Sequence, residues 1–186
     1  MQRLWVTGYR SYEINAFGDK DPKIAVVKFA LQNAFQRYLD DVQLDWVLTG
    51  ANLGVEQWAA QTAIKMEEIR TAVMVPYADF AAHWNEAHQE QFANLTQQAD
   101  FFAATSNEPY AGPWQFHNYE KFMLAHTDRA LLIYDPEHEG KSKYEYELIK
   151  QKNERGNYPM ELIDFYDLQE QAEEYQELQR QQHDDV

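Results

Sequence analysis

Apolar positions along the chain alternate between short runs and longer stretches at helical spacing. Residues 3–7 predict a first strand, ended by Gly8. Asp21-Pro22 reads as an N-cap with proline at the first helical position. Ile24, Val27, Leu31, Phe35 and Tyr38 then follow at helical spacing, which predicts an amphipathic helix to about Leu39. Residues 45–49 (DWVLT) predict a second strand, ended by Gly50. A second helix opens near Gly54, with Trp58, Ala59, Thr62, Ala63 and Met66 on one face. Residues 71–75 predict a third strand, closed by Pro76.

The later pattern repeats the theme. Residues 79–99 predict a helix that packs through Phe80, Trp84, Ala87, Phe92 and Leu95. Residues 101–104 predict a fourth strand, and 106–113, with two prolines and a glycine, a loop. A helix over 115–126, a strand over 130–134 (ALLIY), a charged loop around Gly140 and a helix over 144–154 follow. Ser142 is a candidate cap for that helix, and Gly156 ends it. Residues 160–165 predict a last strand and 167–182 a polar helix with a thin stripe of Leu168, Ala172, Tyr175 and Leu178. Regular alternation of strand and helix predicts an α/β fold, a mainly parallel sheet with helices on both faces. The domain spans 1–166, and 167–186 forms an acidic C-terminal helix or tail.

Charge sharpens this picture. The chain of 186 residues holds 31 acidic and 16 basic residues, a net −15. A phosphate polymer rewards the reverse balance, so nucleic-acid binding is not expected. The segment 167–186 alone has seven acidic residues and one basic, so part of the acidity is peripheral. Absence of cysteine excludes disulfides, thiolate metal sites and cysteine nucleophiles. The six histidines show no metal-binding spacing, so no metal is expected. The three serines, Ser11, Ser106 and Ser142, sit in no nucleophile motif. No stretch approaches the ~20 apolar residues of a membrane span, and no signal peptide is legible. A cytoplasmic location is the expectation.

Ligands of parallel sheets bind beyond the carboxyl ends of the strands, so candidate chemistry is sought there. Gly8, Tyr9 and Arg10 follow the first strand. Gly8 permits close backbone approach, and Arg10 offers a planar cation for a phosphate or carboxylate. The plainer alternative is a turn with a surface arginine. Thr49, Gly50, Asn52, Gly54, Val55 and Glu56 follow or flank the second strand. Two glycines ahead of a helix N-terminus suit an anion. Glu56 reads either as a carboxylate complementing the helix dipole or as a general base or ribose-hydroxyl acceptor. In this reading Gly54→Ala disturbs phosphate approach and leaves the fold intact. Asp135, Gly140 and Lys143 follow the fifth strand, where Lys141 and Lys143 either meet an anion or sit in a solvated charged loop. The aromatic segment 110–119 either stacks on a base or packs a long connection onto the core.

These motifs together resemble the YpsA family of Firmicutes. The resemblance rests on Thr7-Gly8-Tyr9-Arg10, on Thr49-Gly50-Ala51-Asn52-Leu53-Gly54-Val55-Glu56-Gln57-Trp58-Ala59-Ala60, and on Ala130-Leu131-Leu132-Ile133-Tyr134-Asp135-Pro136-Glu137. Gly112-Pro113-Trp114-Gln115-Phe116 lies between the last two. It covers the chain to about Leu168. The family belongs to the SLOG superfamily, named for Smf/DprA and LOG proteins. The resemblance implies a Rossmann-like fold, a bound nucleotide or ADP-ribose-like ligand, and a link to cell division with protein partners of that machinery. It also implies that Gly54 and Glu56 belong to the ligand site. LOG phosphoribohydrolases carry Pro-Gly-Gly-x-Gly-Thr-x-x-Glu, and no Pro-Gly-Gly occurs here, so the catalytic role of Glu56 does not follow from the likeness. Three readings stay open: a regulatory protein binding a small phosphorylated ligand, a nucleotide N-glycosidic-bond hydrolase using Glu56, and a protein–protein adaptor or homo-oligomer working through its surface or tail.

Overall fold

A computed structural model describes residues 1–185. β1 (Arg3–Gly8), β2 (Trp46–Thr49), β3 (Arg70–Val75), β4 (Phe101–Ala104), β5 (Arg129–Ile133) and β6 (Met160–Ile163) form one sheet. Its order is β4-β3-β2-β1-β5-β6, and every pair is parallel. The connecting helices are α1 (Pro22–Val42), α2 (Val55–Ile64), α3 (Glu86–Gln98), α4 (Trp114–Ala125) and α5 (Lys143–Glu154), and α6 (Phe165–Asp184) ends the described chain. The sheet is thus wholly parallel, and the fold is Rossmann-like.

Chain direction explains the two layers. From β1 the strands step outward through β2 and β3 to β4, then return past β1 to β5 and β6. Right-handed crossovers put α1, α2 and α3 on one face and α4 and α5 on the other. Contacts of α1 with α2 and α6, and of α2 with α3, agree with the first layer. The central strands are buried on both faces and read as continuous apolar runs, with Leu4, Trp5, Val6 and Leu131, Leu132, Ile133 at zero exposure. Strand order reverses between β1 and β5, so their carboxyl ends diverge into a crevice.

Local chemistry sets most helix ends as the pattern predicts. The Asp21 carboxylate accepts the Lys23 amide at 2.9 Å, with Pro22 in the first turn of α1. Gly156, at φ +98°, follows the end of α5. Three ends differ. The predicted helix over 79–99 begins only at Glu86, because the Asn85 side chain accepts the His88 amide at 2.8 Å and restarts the chain there. The preceding residues form turns whose Phe80 and Trp84 pack together and against Phe92. The last strand stops at Ile163, since Asp164 and Asp167 cap α6 reciprocally at 2.8 and 3.1 Å. α6 therefore starts at Phe165 and packs on α1 through Tyr175 against Phe29 and Gln171 against Asn33. Ser142 does not cap α5; its hydroxyl donates to the Gly8 carbonyl and ties β1 to the β5–α5 loop.

Gly54 also departs from expectation. It sits at φ +128° and forms an isolated antiparallel bridge with Arg10. A Cβ there would lie 2.5 Å from the Tyr9 carbonyl oxygen and 2.6 Å from the Ser11 nitrogen. The close approach that demands glycine is to the protein's own backbone. Gly54→Ala should therefore cost stability directly, by roughly 1–3 kcal/mol from backbone strain and steric displacement. Urea unfolding measures this, and a variant as stable as the parent would count against the tie.

Candidate functional site

Beyond the carboxyl ends of β1, β2 and β3 lies a cavity of ≈ 780 Å³. α4 and α5 complete its walls. Such a volume holds one small organic ligand. Its floor is polar. Its rim is aromatic, with Tyr77, Phe80, Trp84, Phe116 and Tyr144.

Arg10 anchors the floor. Its guanidinium donates to the Gly8 carbonyl at 3.2 Å. It also faces the Glu56 carboxylate at 3.5 Å and the Glu145 carboxyl at 3.9 Å. Glu56 is 1% exposed. Besides Arg10 it accepts from the Thr7 hydroxyl at 3.4 Å, the Asn52 amide at 2.9 Å and the Asn52 side chain at 3.1 Å. Gly50 makes room for it, because a Cβ at that position would overlap the Glu56 carboxylate and crowd the Tyr119 hydroxyl. The loop between β2 and α2 therefore spends its Asn52 amide on an internal carboxylate. The first amide of α2, that of Val55, donates to the Tyr9 carbonyl at 3.0 Å.

Burial shapes the proton affinities. Burial, then the neighbouring Glu56 charge, pushes the Glu145 carboxyl up to about 8, and Arg10 opposes this only partly. Burial and the same Glu56 charge raise the Tyr119 phenol well above its ordinary value. Burial would lower Arg10, but Glu56 and Glu145 outweigh it, so the guanidinium stays charged. The floor thus holds one ion pair beside a carboxyl that keeps its proton near neutral pH.

Of the residues selected from sequence, Arg10, Gly50, Asn52 and Glu56 line this cavity. The others sit behind or beside it. Tyr9 is buried and acts as a strut: its hydroxyl accepts the Asp135 amide at 2.9 Å and donates to the His138 carbonyl at 2.7 Å. It stacks on Phe165. Thr49 donates to the Val6 carbonyl at 2.7 Å. Val55 is fully buried against Gly8. Asp135 accepts the Glu137 amide at 2.9 Å and faces His138 at 3.6 Å. Gly140 gives way to the Glu13 carboxylate, which also accepts the Lys141 amide at 2.8 Å. Lys143 pairs with Glu139 at 3.1 Å on the surface, and Lys141 lines the cavity instead. Gly54 lines a second cavity of ≈ 600 Å³ on the far side of the loop. Sequence reasoning missed Glu145, whose only signal was a carboxylate in the first turn of a helix. In the aromatic segment Phe116 and Tyr119 line the cavity, while Gln115 is buried and binds the Ala111 amide at 2.6 Å and the Ser106 hydroxyl at 3.1 Å.

Sheet order, crevice and cavity together define a Rossmann-like α/β protein with a ligand-sized site at its topological switch point. The YpsA model, described as the YspA SLOG family, matches residues 4–168. Similar proteins, each named UPF0398 protein, include one of Lactobacillus helveticus, 59% identical over 95% of both chains. Another, of Lactobacillus gasseri, is 56% identical over 98% of both chains, and one of Lactobacillus acidophilus is 58% identical over 95% of this chain and 96% of its own. The chain belongs to the YpsA SLOG family. No helix among the described residues is long and apolar enough to cross a membrane.

The buried Glu145 gives stability a definite pH dependence. Its folded proton affinity exceeds the unfolded value, so the folded state holds more protons between about pH 4.5 and 8. Stability from this group is present in acid and falls as pH rises through that window. Glu145→Gln removes the titration, so the variant should gain on the parent by on the order of a few kcal/mol from pH 5 to pH 8. Urea unfolding at the two pH values tests the sign, and a gap that stays constant would refute it.

Proposed function

We propose that this protein is a regulatory binder of a nucleotide-derived ligand of the ADP-ribose or NAD class. The observation that carries the reading is the ≈ 780 Å³ cavity, with hydrogen-bonding groups at its floor and aromatic side chains at its rim. Aromatic faces suit a base, and polar floor groups suit a sugar. Lys141 is the cation available to a phosphate at the outer edge, and the candidate set from sequence contributes Arg10, Gly50, Asn52 and Glu56. In this reading the protein works in the cytoplasm and passes the ligand signal to protein partners. The link to cell division comes from the family resemblance.

One observation favours a second reading, hydrolysis of a nucleotide N-glycosidic bond. Glu145 retains a proton beside the ion-paired Glu56, and two carboxyl groups in unlike environments suit general-acid and water-orienting roles. The adaptor reading has the thin apolar stripe of α6 as its support, and no residue of α6 is fully buried.

Calorimetry and thermal shift with ADP-ribose, NAD, AMP and cyclic dinucleotides test the first reading. At least one should bind, and a ligand at a hundredfold over its Kd stabilises by ~2.7 kcal/mol. Failure of all would overturn it. Chromatography of AMP, CMP and NAD after incubation separates the enzyme: free base that disappears with Glu56→Gln supports hydrolysis, and intact nucleotide refutes it.

A further inference from the structure

Two oxygen atoms at the cavity floor, one on Tyr119 and one on Glu145, have no hydrogen-bond partner among the described residues. They are the buried Tyr119 hydroxyl and the buried Oε2 atom of Glu145. Both side chains line the cavity, at 7% exposure each. Buried polar atoms are almost always paired, so two orphans at one floor mark places where an outside group completes the bonding. Gly50 leaves the room that Glu56 and Tyr119 occupy there, since a Cβ would stand 2.7 Å from the Tyr119 oxygen.

The charges around the orphans restrict what fits. Arg10 already serves two carboxyl groups. Glu56 presents negative charge and takes up the loop amide of Asn52 that would otherwise face an anion. A phosphate lowered to this floor would meet Glu56 with no uncommitted cation beside it. A hydroxyl suits it better. It accepts from the Tyr119 phenol or the Glu145 carboxyl, and donates to Glu56 in return. Two neighbouring hydroxyls on one sugar satisfy both orphans together.

From this we infer that the floor recognises the vicinal hydroxyls of a ribose through Tyr119, Glu145 and Glu56, so that a nucleotide enters sugar-first and keeps its phosphates at the rim near Lys141. The inference rests on the nucleotide reading above and refines it. It reverses the polarity suggested by the glycine loop, where a phosphate at the helix start would be the natural occupant. Tyr119 and Glu145 become specificity-determining residues, drawn from α4 and α5.

The test is calorimetric titration of the full chain with the four common ribonucleosides, their 2′-deoxy and 3′-deoxy counterparts, free ribose, free bases and pyrophosphate. A ribonucleoside should bind, and loss of either hydroxyl should weaken it at least tenfold. Tyr119→Phe and Glu145→Gln should erase the difference between ribose and deoxyribose forms, with melting still cooperative. Pyrophosphate should fail to displace a bound nucleoside. Equal binding of ribose and deoxyribose forms overturns the inference and leaves the nucleotide reading standing. So does a free base that competes as well as its nucleoside, or a pyrophosphate that displaces it. Binding of free ribose without any nucleoside keeps the sugar floor and removes the nucleotide reading. No binding in any arm overturns the inference, and the nucleotide reading is then decided by the ADP-ribose, NAD and AMP titrations.

Discussion

A guanidinium taken out of water must be surrounded by acceptors, and the crevice is organised around that demand. Arg10 leaves the end of β1 and meets Glu56 from the first turn of α2, Glu145 from the first turn of α5, and the Gly8 carbonyl. One charge therefore holds three elements at the point where strand order reverses. Removing a partner from such a buried cluster strands a charge, at a cost of ~3–5 kcal/mol in comparable cases. The glycines serve the same cluster. Gly50 yields space to the Glu56 carboxylate, and Gly54 lets the α2 loop lie against the backbone that carries Arg10.

Around this cluster the two sides of the crevice differ. On the β5 side, Tyr9, Glu13 and Ser142 tie the end of β1 to the loop leading into α5. Those ties hold the polar floor in place. The opposite wall comes from the turns after β3 and the loop before α4, where Tyr77, Tyr110 and Phe116 pack edge to face and remain partly exposed. A braced polar floor thus lies below an aromatic rim.

Most of the fold was legible because its signals are local. Apolar runs ended by Gly8, Gly50 and Pro76, and the Asp21-Pro22 start of α1, depend on a few neighbouring residues. The misreadings arose where side chains compete with periodicity. Asn85 restarts a helix whose apolar spacing extends back to Phe80, and Asp164 ends a strand two residues early. Part of the site was legible too. Arg10, Gly50, Asn52 and Glu56 follow strand ends, where parallel sheets place ligands. Glu145 and Tyr119 were not legible as a pair with Glu56, since they arrive from α5 and α4 across the sheet. Lys141 and Lys143 read alike in the sequence, and two positions along the chain decide that Lys141 lines the cavity while Lys143 pairs with Glu139 on the surface.

The sequence by itself determined the alternation of strand and helix, the apolar runs of the central strands, and the turns beyond which chemistry would lie. Hydrophobic period and backbone preference act over a few residues, so they can be read without coordinates. Only the tertiary structure decided what those residues do. It turned the expected phosphate loop into the seat of a buried carboxylate, converted Tyr9 into a strut, and left one oxygen of Tyr119 and one of Glu145 without a hydrogen bond among the described residues. Burial and Coulomb interaction depend on distances through space, and residues far apart in the chain set those distances only once the sheet has formed.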